Sequence, residues 1–315
     1  MLRASGRNDF AQIRQTVAAM SGAIKSNSGL VLFAFSYLDA WQILITAVCI
    51  PGIFIELERF QRASILEMVL AALLQVLLNV TQYNVIMHNF IHTPFFKSAA
   101  LNRAYELICS VPVLLPFTDS KVLHLTHHKY TNDKINPKTG TTKDPTSTYR
   151  HGKNGQHESF FSYVLFGPIR ELMQTDGAEQ SDRIKQRIRV EMAVIAVLLG
   201  VLAWRNYHYL ILYLVIVYAA QALILAQNFF EHYGAQPENK LSNSVSCYGT
   251  LYNLLWFNNG YHQEHHYRQG VHWTKLKSLR AEMLPDGGRH IVPQAHFMNL
   301  PFLFPDAATG EAERS

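Results

Sequence analysis

Apolar residues come in long uncharged runs separated by polar, histidine-bearing stretches. Residues 68–87 (MVLAALLQVLLNVTQYNVIM) and 206–227 (NYHYLILYLVIVYAAQALILAQ) carry no Asp, Glu, Lys or Arg. Each matches the ~20 residues that cross a bilayer as a helix. A shorter apolar run precedes each, 40–55 between Asp39 and Glu56, and 192–204 between Glu191 and Arg205. The links, 56–67 and a turn near Arg205, are short. The pattern predicts two helical hairpins, hence four transmembrane helices in an all-α integral membrane protein.

The remaining segments read as connections. Residues 99–118 are apolar but interrupted by Pro112 and Pro116, which predicts a shallow re-entrant hairpin. Residues 159–168 are expected at the interface, and 131–157, rich in Gly, Pro, Asn and Thr, as a loop. Phe10, Ile13, Val17, Met20 and Ile24 recur at helical spacing, so 1–28 reads as an interfacial segment or a surface helix. Residues 306–315 read as a disordered tail. The whole of 1–315 is taken as one domain.

Charge sets an orientation. Of 28 Lys and Arg, only Arg59, Arg62 and Arg205 fall in the two hairpin links, leaving 25 on the other side. The positive-inside rule makes that side cytoplasmic. The net charge of +5 accompanies no nucleic-acid motif and reads as attraction to lipid headgroups or an acidic partner. Cys49, Cys109 and Cys247 have no disulfide or CxxC spacing, and no apolar signal segment follows Arg3, Arg7 and Arg14.

Candidate chemistry lies in the histidines. Nine of fifteen fall in four clusters: His88 and His92; His124, His127 and His128; His232 in "NFFEHYG"; and His262, His265 and His266 in "GYHQEHHY". Offsets of three and four place rings on one helix face. Two hairpins of the same sense bring the ends of the second and fourth spans, and the segments that follow them, to one membrane face. All four clusters therefore gather on the cytoplasmic side, in a helical cap. The other six histidines (His151, His157, His208, His272, His290, His296) are isolated and read as structural. Nine buried rings without partners, at ~1–3 kcal/mol each, would rival a whole protein's net stability of ~5–15 kcal/mol. A metal satisfies several lone pairs at once. Nine nitrogens exceed one ion's needs, so the count points to two ions. Imidazole suits iron, zinc and copper alike.

In their order and position, "HNFIH", "HLTHH" and "HQEHH" resemble the three histidine boxes of membrane fatty acid desaturases and related hydroxylases, over residues 65–275. "HHKYTND" and the Asp144-Pro145 pair are similar to the surroundings of the second box in bacterial desaturases. The resemblance implies a non-haem centre of two iron ions that uses O2 and two electrons to attack an unactivated carbon of a lipid acyl chain. It implies eight ligands, His88, His92, His124, His127, His128, His262, His265 and His266. The Asn-x3-His of "NFFEHYG" is similar to animal acyl-CoA desaturases, which adds His232 as a ninth ligand and Asn228 as a ligand through water. The wording N-x-x-E-H-Y-G resembles membrane alkane hydroxylases instead. Desaturation is the expected outcome, with hydroxylation of a fatty acid, alkane or carotenoid as its alternative. Glu231 and Glu264 are candidates to orient the ligating imidazoles, and Asp133 and Asp144 read as loop or supporting residues. No further catalytic side chain is expected. No HPGG haem motif is present, so electrons are expected from a separate ferredoxin, rubredoxin or cytochrome b5. A membrane zinc hydrolase lacks its HExxH here, and a haem carrier would hold its histidines within the spans rather than at their ends.

Overall fold

In the computed structural model, residues 32–173, 180–293 and 295–296 are described. The expectations for 1–28 and 306–315 lie outside them. The chain is mostly helical. Helix α1 is Asp39–Arg59 and α2 is Ile65–Thr81, which continues through a π-helical turn, Gln82–Met87, into α3, His88–His92. Then come α4, Ala99–Val113, α5, Phe117–Tyr130, α6, Phe160–Met173, and the long α7, Asp182–His232. Short helices α8, Thr250–Leu255, and α9, His262–Tyr267, precede a 3-10 segment, Trp273–Glu282. The strands β1, Ser246–Cys247, and β2, Ile291–Val292, form one small parallel pair.

Among the described residues, three helical stretches are long and apolar enough to cross a membrane: Asp39–Arg59, Ile65–His92 and Asp182–His232. The third is broken at Asn206, whose backbone is extended (φ −165°, ψ 101°). The Asn206 side chain accepts the N–H groups of His208 and Tyr209 at 3.1 and 3.2 Å, which caps the second limb. Both limbs enter one cluster, Leu198 and Leu202 from the first and Tyr209, Tyr213 and Val217 from the second, packed on Ile53 and Leu57 of α1. Large apolar side chains stay exposed along α1, α2 and α7, with Trp41 near one end of α1 and Trp204 and Tyr207 beside the break. A soluble protein rarely exposes so much apolar surface, whereas a bilayer covers it.

Local chemistry explains the helix ends. Ser64 and Glu67 form a reciprocal capping box that starts α2. Residues 99–118, expected as a hairpin, form α4 and the first residues of α5. Leu114, in the left-handed region (φ 54°), turns the chain between α4 and α5, and α5 carries the second histidine cluster. Glu191, fully buried on the first limb of α7, ties these elements together. It pairs with Arg103 of α4 and accepts from the Thr118 N–H and hydroxyl of α5, at 2.8 and 2.6 Å. Between α1 and α2 runs a buried polar seam. Thr46 bonds Gln82 and Tyr105, each at 2.8 Å, and Gln75 of α2 donates to Cys49 Sγ of α1 at 3.3 Å. Inter-helix hydrogen bonds of this kind fix which faces meet where lipid offers no hydrophobic driving force.

Candidate metal centre

The π turn sits directly before the first histidine cluster. An extra residue in a turn rotates everything after it, and such bulges recur at functional sites. Here it sets the direction from which His88 and His92 leave α2. The second and third clusters lie on α5 and α9, and His232 closes α7. Left-handed residues flank both H-x2-HH clusters: Thr131 (φ 24°) and Asn132 (φ 54°) after one, Phe257 (φ 48°) and Asn258 (φ 61°) before the other. Backbone in these regions is costly for residues with a Cβ and persists where the surroundings enforce it.

The rings converge into two groups. His88, His92, His124, His128 and His265 bring their ligand atoms within 4.8 Å of one another, as do His127, His232 and His266. His262 joins the second group, its Nε2 3.1 Å from that of His266 and 3.4 Å from that of His232. In the first group, Nε2–Nε2 distances are 2.7 Å for His88–His265 and His92–His124, and 3.0 Å for His124–His128 and His128–His265. The assignment follows helical phase. In each H-x2-HH cluster the i, i+4 pair goes to one group and the ring between crosses to the other. His124 and His128 face the first group and His127 the second. On α9 the roles reverse, with His262 and His266 in the second group and His265 in the first.

The donor set fits a cation. His127 Nδ1 donates to Asp144 at 2.8 Å and His232 Nδ1 to the Asn243 carbonyl at 3.2 Å, so each turns an Nε2 lone pair inward. Burial, reinforced by neighbouring rings, holds His124, His128, His262, His265 and His266 well below the ordinary imidazole range. They are neutral ligands near neutral pH. Nitrogens bound ~2.1 Å from an ion lie about 3 Å from their neighbours, which is the spacing found.

The carboxylates divide. Asp144 has no exposed surface. Its Oδ2 accepts from His127 and from the Asn132 N–H at 2.7 Å, and its Oδ1 from the Thr146 N–H and hydroxyl at 2.9 and 2.8 Å. Burial opposes its charge, but His127 and those donors outweigh it and hold the carboxyl well below its usual range. Asp133 clips the loop, accepting from the N–H groups of Lys143 and Asp144. Glu231 lies among the rings, 3.6 Å from both His262 Nε2 and His296 Nδ1, and accepts from Gln227 at 2.8 Å. Glu264 is engaged elsewhere, by Ser246 at 2.8 Å, Tyr248 at 2.6 Å and Arg289 at 3.0 Å. Asn228 donates to the Tyr163 hydroxyl at 2.7 Å and the Thr146 carbonyl at 3.3 Å. His296, an isolated histidine by sequence, is fully buried between the Val245 carbonyl, Tyr252 and Glu231. Its spacing gave no signal, because it reaches the site only through β2 pairing with β1.

Gly260, just ahead of the third cluster, is required by close approach. A Cβ there would lie 2.3 Å from the Cys247 carbonyl oxygen and 2.6 Å from Asn253 Oδ1. A cavity reaches the rings, lined by His88, His124, His127 and His262 together with Met87, Leu123, Ile224, Asn228 and Glu231.

No characterised protein matches the sequence individually. The family model described as fatty acid desaturase matches residues 63–298, most of the chain and all four histidine clusters. With that match laid over this helical fold and its paired imidazole groups, the chain belongs to the fatty acid desaturase family.

Proposed function

We propose that the protein is an O2-dependent, non-haem di-iron oxidoreductase of the membrane that introduces a double bond into a lipid acyl chain. The observation carrying this reading is the convergence of nine imidazoles into adjacent groups of five and four at the wall of one cavity. Five rings (His88, His92, His124, His128, His265) would hold one iron, and four (His127, His232, His262, His266) the other. Asn228 would complete the second set through water. When bound, the irons supply O2 activation and hydrogen abstraction from an unactivated carbon. The protein's own work is different. Asp144 and the Asn243 carbonyl fix the tautomers of His127 and His232, Glu231 neighbours His262, and the apolar wall of the cavity orders the chain and keeps water out.

The membrane arrangement that supports this has four crossings: α1, the α2–α3 stretch and the two limbs of α7 either side of Asn206. The histidine clusters then lie on the cytoplasmic side, where a separate ferredoxin, rubredoxin or cytochrome b5 delivers electrons to the basic face. The test is expression with a ferredoxin and its reductase in a host of defined lipids, comparing wild type with His265→Ala. Loss of two mass units from an acyl chain, absent in the variant, is the expected result. A gain of sixteen would reassign the protein as a hydroxylase, the outcome that the N-x-x-E-H-Y-G wording around Glu231 favours. Identical lipids in both strains would overturn the proposal.

A further inference from the structure

The cavity beside the histidines has a mixed wall. Met87, Leu115, Leu123 and Leu225 supply apolar surface, while Glu171 of α6 and Gln221 of α7 face the same space. Most polar neighbours are already committed. Asn84 donates to Gln227 at 3.0 Å, Asn228 to Tyr163, and Glu231 accepts from Gln227 and from Asn259 at 3.3 Å. Glu171 and Gln221 differ: among the described residues neither has a hydrogen-bond or ion-pair partner. Burial, with Asp119 adding its charge, pushes the Glu171 carboxyl up to about 7.

Polar groups that face a cavity without a protein partner keep their water only while the cavity is wet, so a ligand that fills it must replace that hydrogen bonding. A plain methylene chain filling this space would strip water from a carboxyl and a primary amide and return nothing. A site that holds hydrogen-bonding groups instead selects the ligand that satisfies them. An anionic group is disfavoured by Glu171 when its carboxyl is ionised.

Resting on the reading of this cavity as the acyl-chain site, we infer that its substrate carries a hydrogen-bond-donating group, a hydroxyl or an amine, which Glu171 and Gln221 hold while the apolar wall takes the chain. Glu171 and Gln221 are thus specificity-determining residues, not metal ligands.

The test measures binding of four twelve-carbon probes to the protein purified from iron-supplemented cells, in lipid nanodiscs, corrected against empty nanodiscs. The probes are dodecan-1-ol, dodecylamine, 1-methoxydodecane and dodecanoate. At pH 8, where Glu171 is mostly ionised, a hydrogen bond to the carboxylate predicts that a donor-bearing probe binds about 10- to 100-fold tighter than the methoxy probe. Dodecanoate should be the weakest. Glu171→Leu should abolish the preference, Gln221→Leu should reduce it, and the isosteric Glu171→Gln should keep binding of the alcohol while losing that of the amine. A preference for only the alcohol or only the amine supports the inference and chooses the donor. Equal binding of the methoxy probe and both donors by the wild type overturns it, whatever the variants do. So does a wild-type preference that survives Glu171→Leu. Iron analysis of the same samples reports separately on the function proposed above. Two irons without a donor preference would overturn only the present inference, and a donor preference without iron would overturn only the di-iron reading.

Discussion

Asp144 and Glu264 are both fully buried carboxylates beside histidine clusters, yet they do different work. Asp144 spends one oxygen on the His127 ring. Asp144→Ala should lower iron retention or turnover about 10- to 100-fold, read by metal analysis after gel filtration, and should also lower the unfolding temperature of the metal-free protein, because the buried Asn132 and Thr146 N–H groups lose their acceptor. Glu264 instead neutralises Arg289, whose side chain is 1% exposed. Removing one partner of a buried pair costs about 3–5 kcal/mol. Glu264→Ala should therefore unfold far below wild type even without metal, and Glu264→Gln should recover part of the loss. Sequence spacing favoured Glu264, because it sits inside a cluster. Its direction is set by Arg289 and Tyr248, which are distant in sequence, whereas Asp144 reaches its ring through the loop fold built on Asn132. His157 offers a test by pH. Burial and then Lys134 push it down to about 4, against ~6.5 when unfolded. Its folded-state value is depressed, so the stability it permits is complete above about pH 6.5. That stability declines as pH falls toward 4, because the unfolded chain takes up the proton first. The drop in unfolding temperature between pH 7 and pH 5 should be smaller in His157→Gln than in wild type.

At the scale of elements, the uncharged runs were legible because lipid exposure demands them. Residues 68–87 lie within Ile65–His92, and 192–204 with 206–227 lie within Asp182–His232. What periodicity does not carry is backbone departure from the regular helix. The π turn at Gln82–Met87 contains ordinary residues, and its register shift appears only in three dimensions. The prolines at 112 and 116 suggested a hairpin, and the reversal lies between them at Leu114, with Pro112 accommodated inside α4. The break in α7 is more instructive. Arg205 marked the turn by its charge, while the residue that makes it is Asn206, whose side chain caps the second limb. Asn206→Ala should destabilise the protein by about 1 kcal/mol, and Asn206→Ser should restore most of it, as N-cap series do. Unfolding in mixed micelles measures both. If alanine were neutral, the turn would be held by the packing of Leu202 and Tyr209 on α1 instead.

For the whole molecule, one membrane face was expected to collect the four clusters, and the rings do meet. Their division between two groups is a finer matter of helical phase, in which each H-x2-HH cluster serves both groups. The orientation of that face rests on charge alone. Among the described residues, Arg59, Arg62 and Arg205 are the Lys and Arg residues near the helix ends remote from the histidines, and Arg59 and Arg205 already pair with Glu67 and Glu58. The three native cysteines are buried, so an added thiol on the surface reports without interference. Arg62→Cys and Lys153→Cys place such thiols in the α1–α2 link and in the loop between α5 and α6, both at exposed positions. In intact cells a membrane-impermeant maleimide should label the first and spare the second, and permeabilisation should expose both. Labelling of both in intact cells would mean that the helical stretches do not separate these loops across a bilayer. The reverse pattern would keep the four crossings but turn the histidine face outward, away from any cytoplasmic reductant. The positive-inside bias predicts against that result, because Lys97 and Arg183, Lys185, Arg187 and Arg189 flank the helix ends on the histidine side.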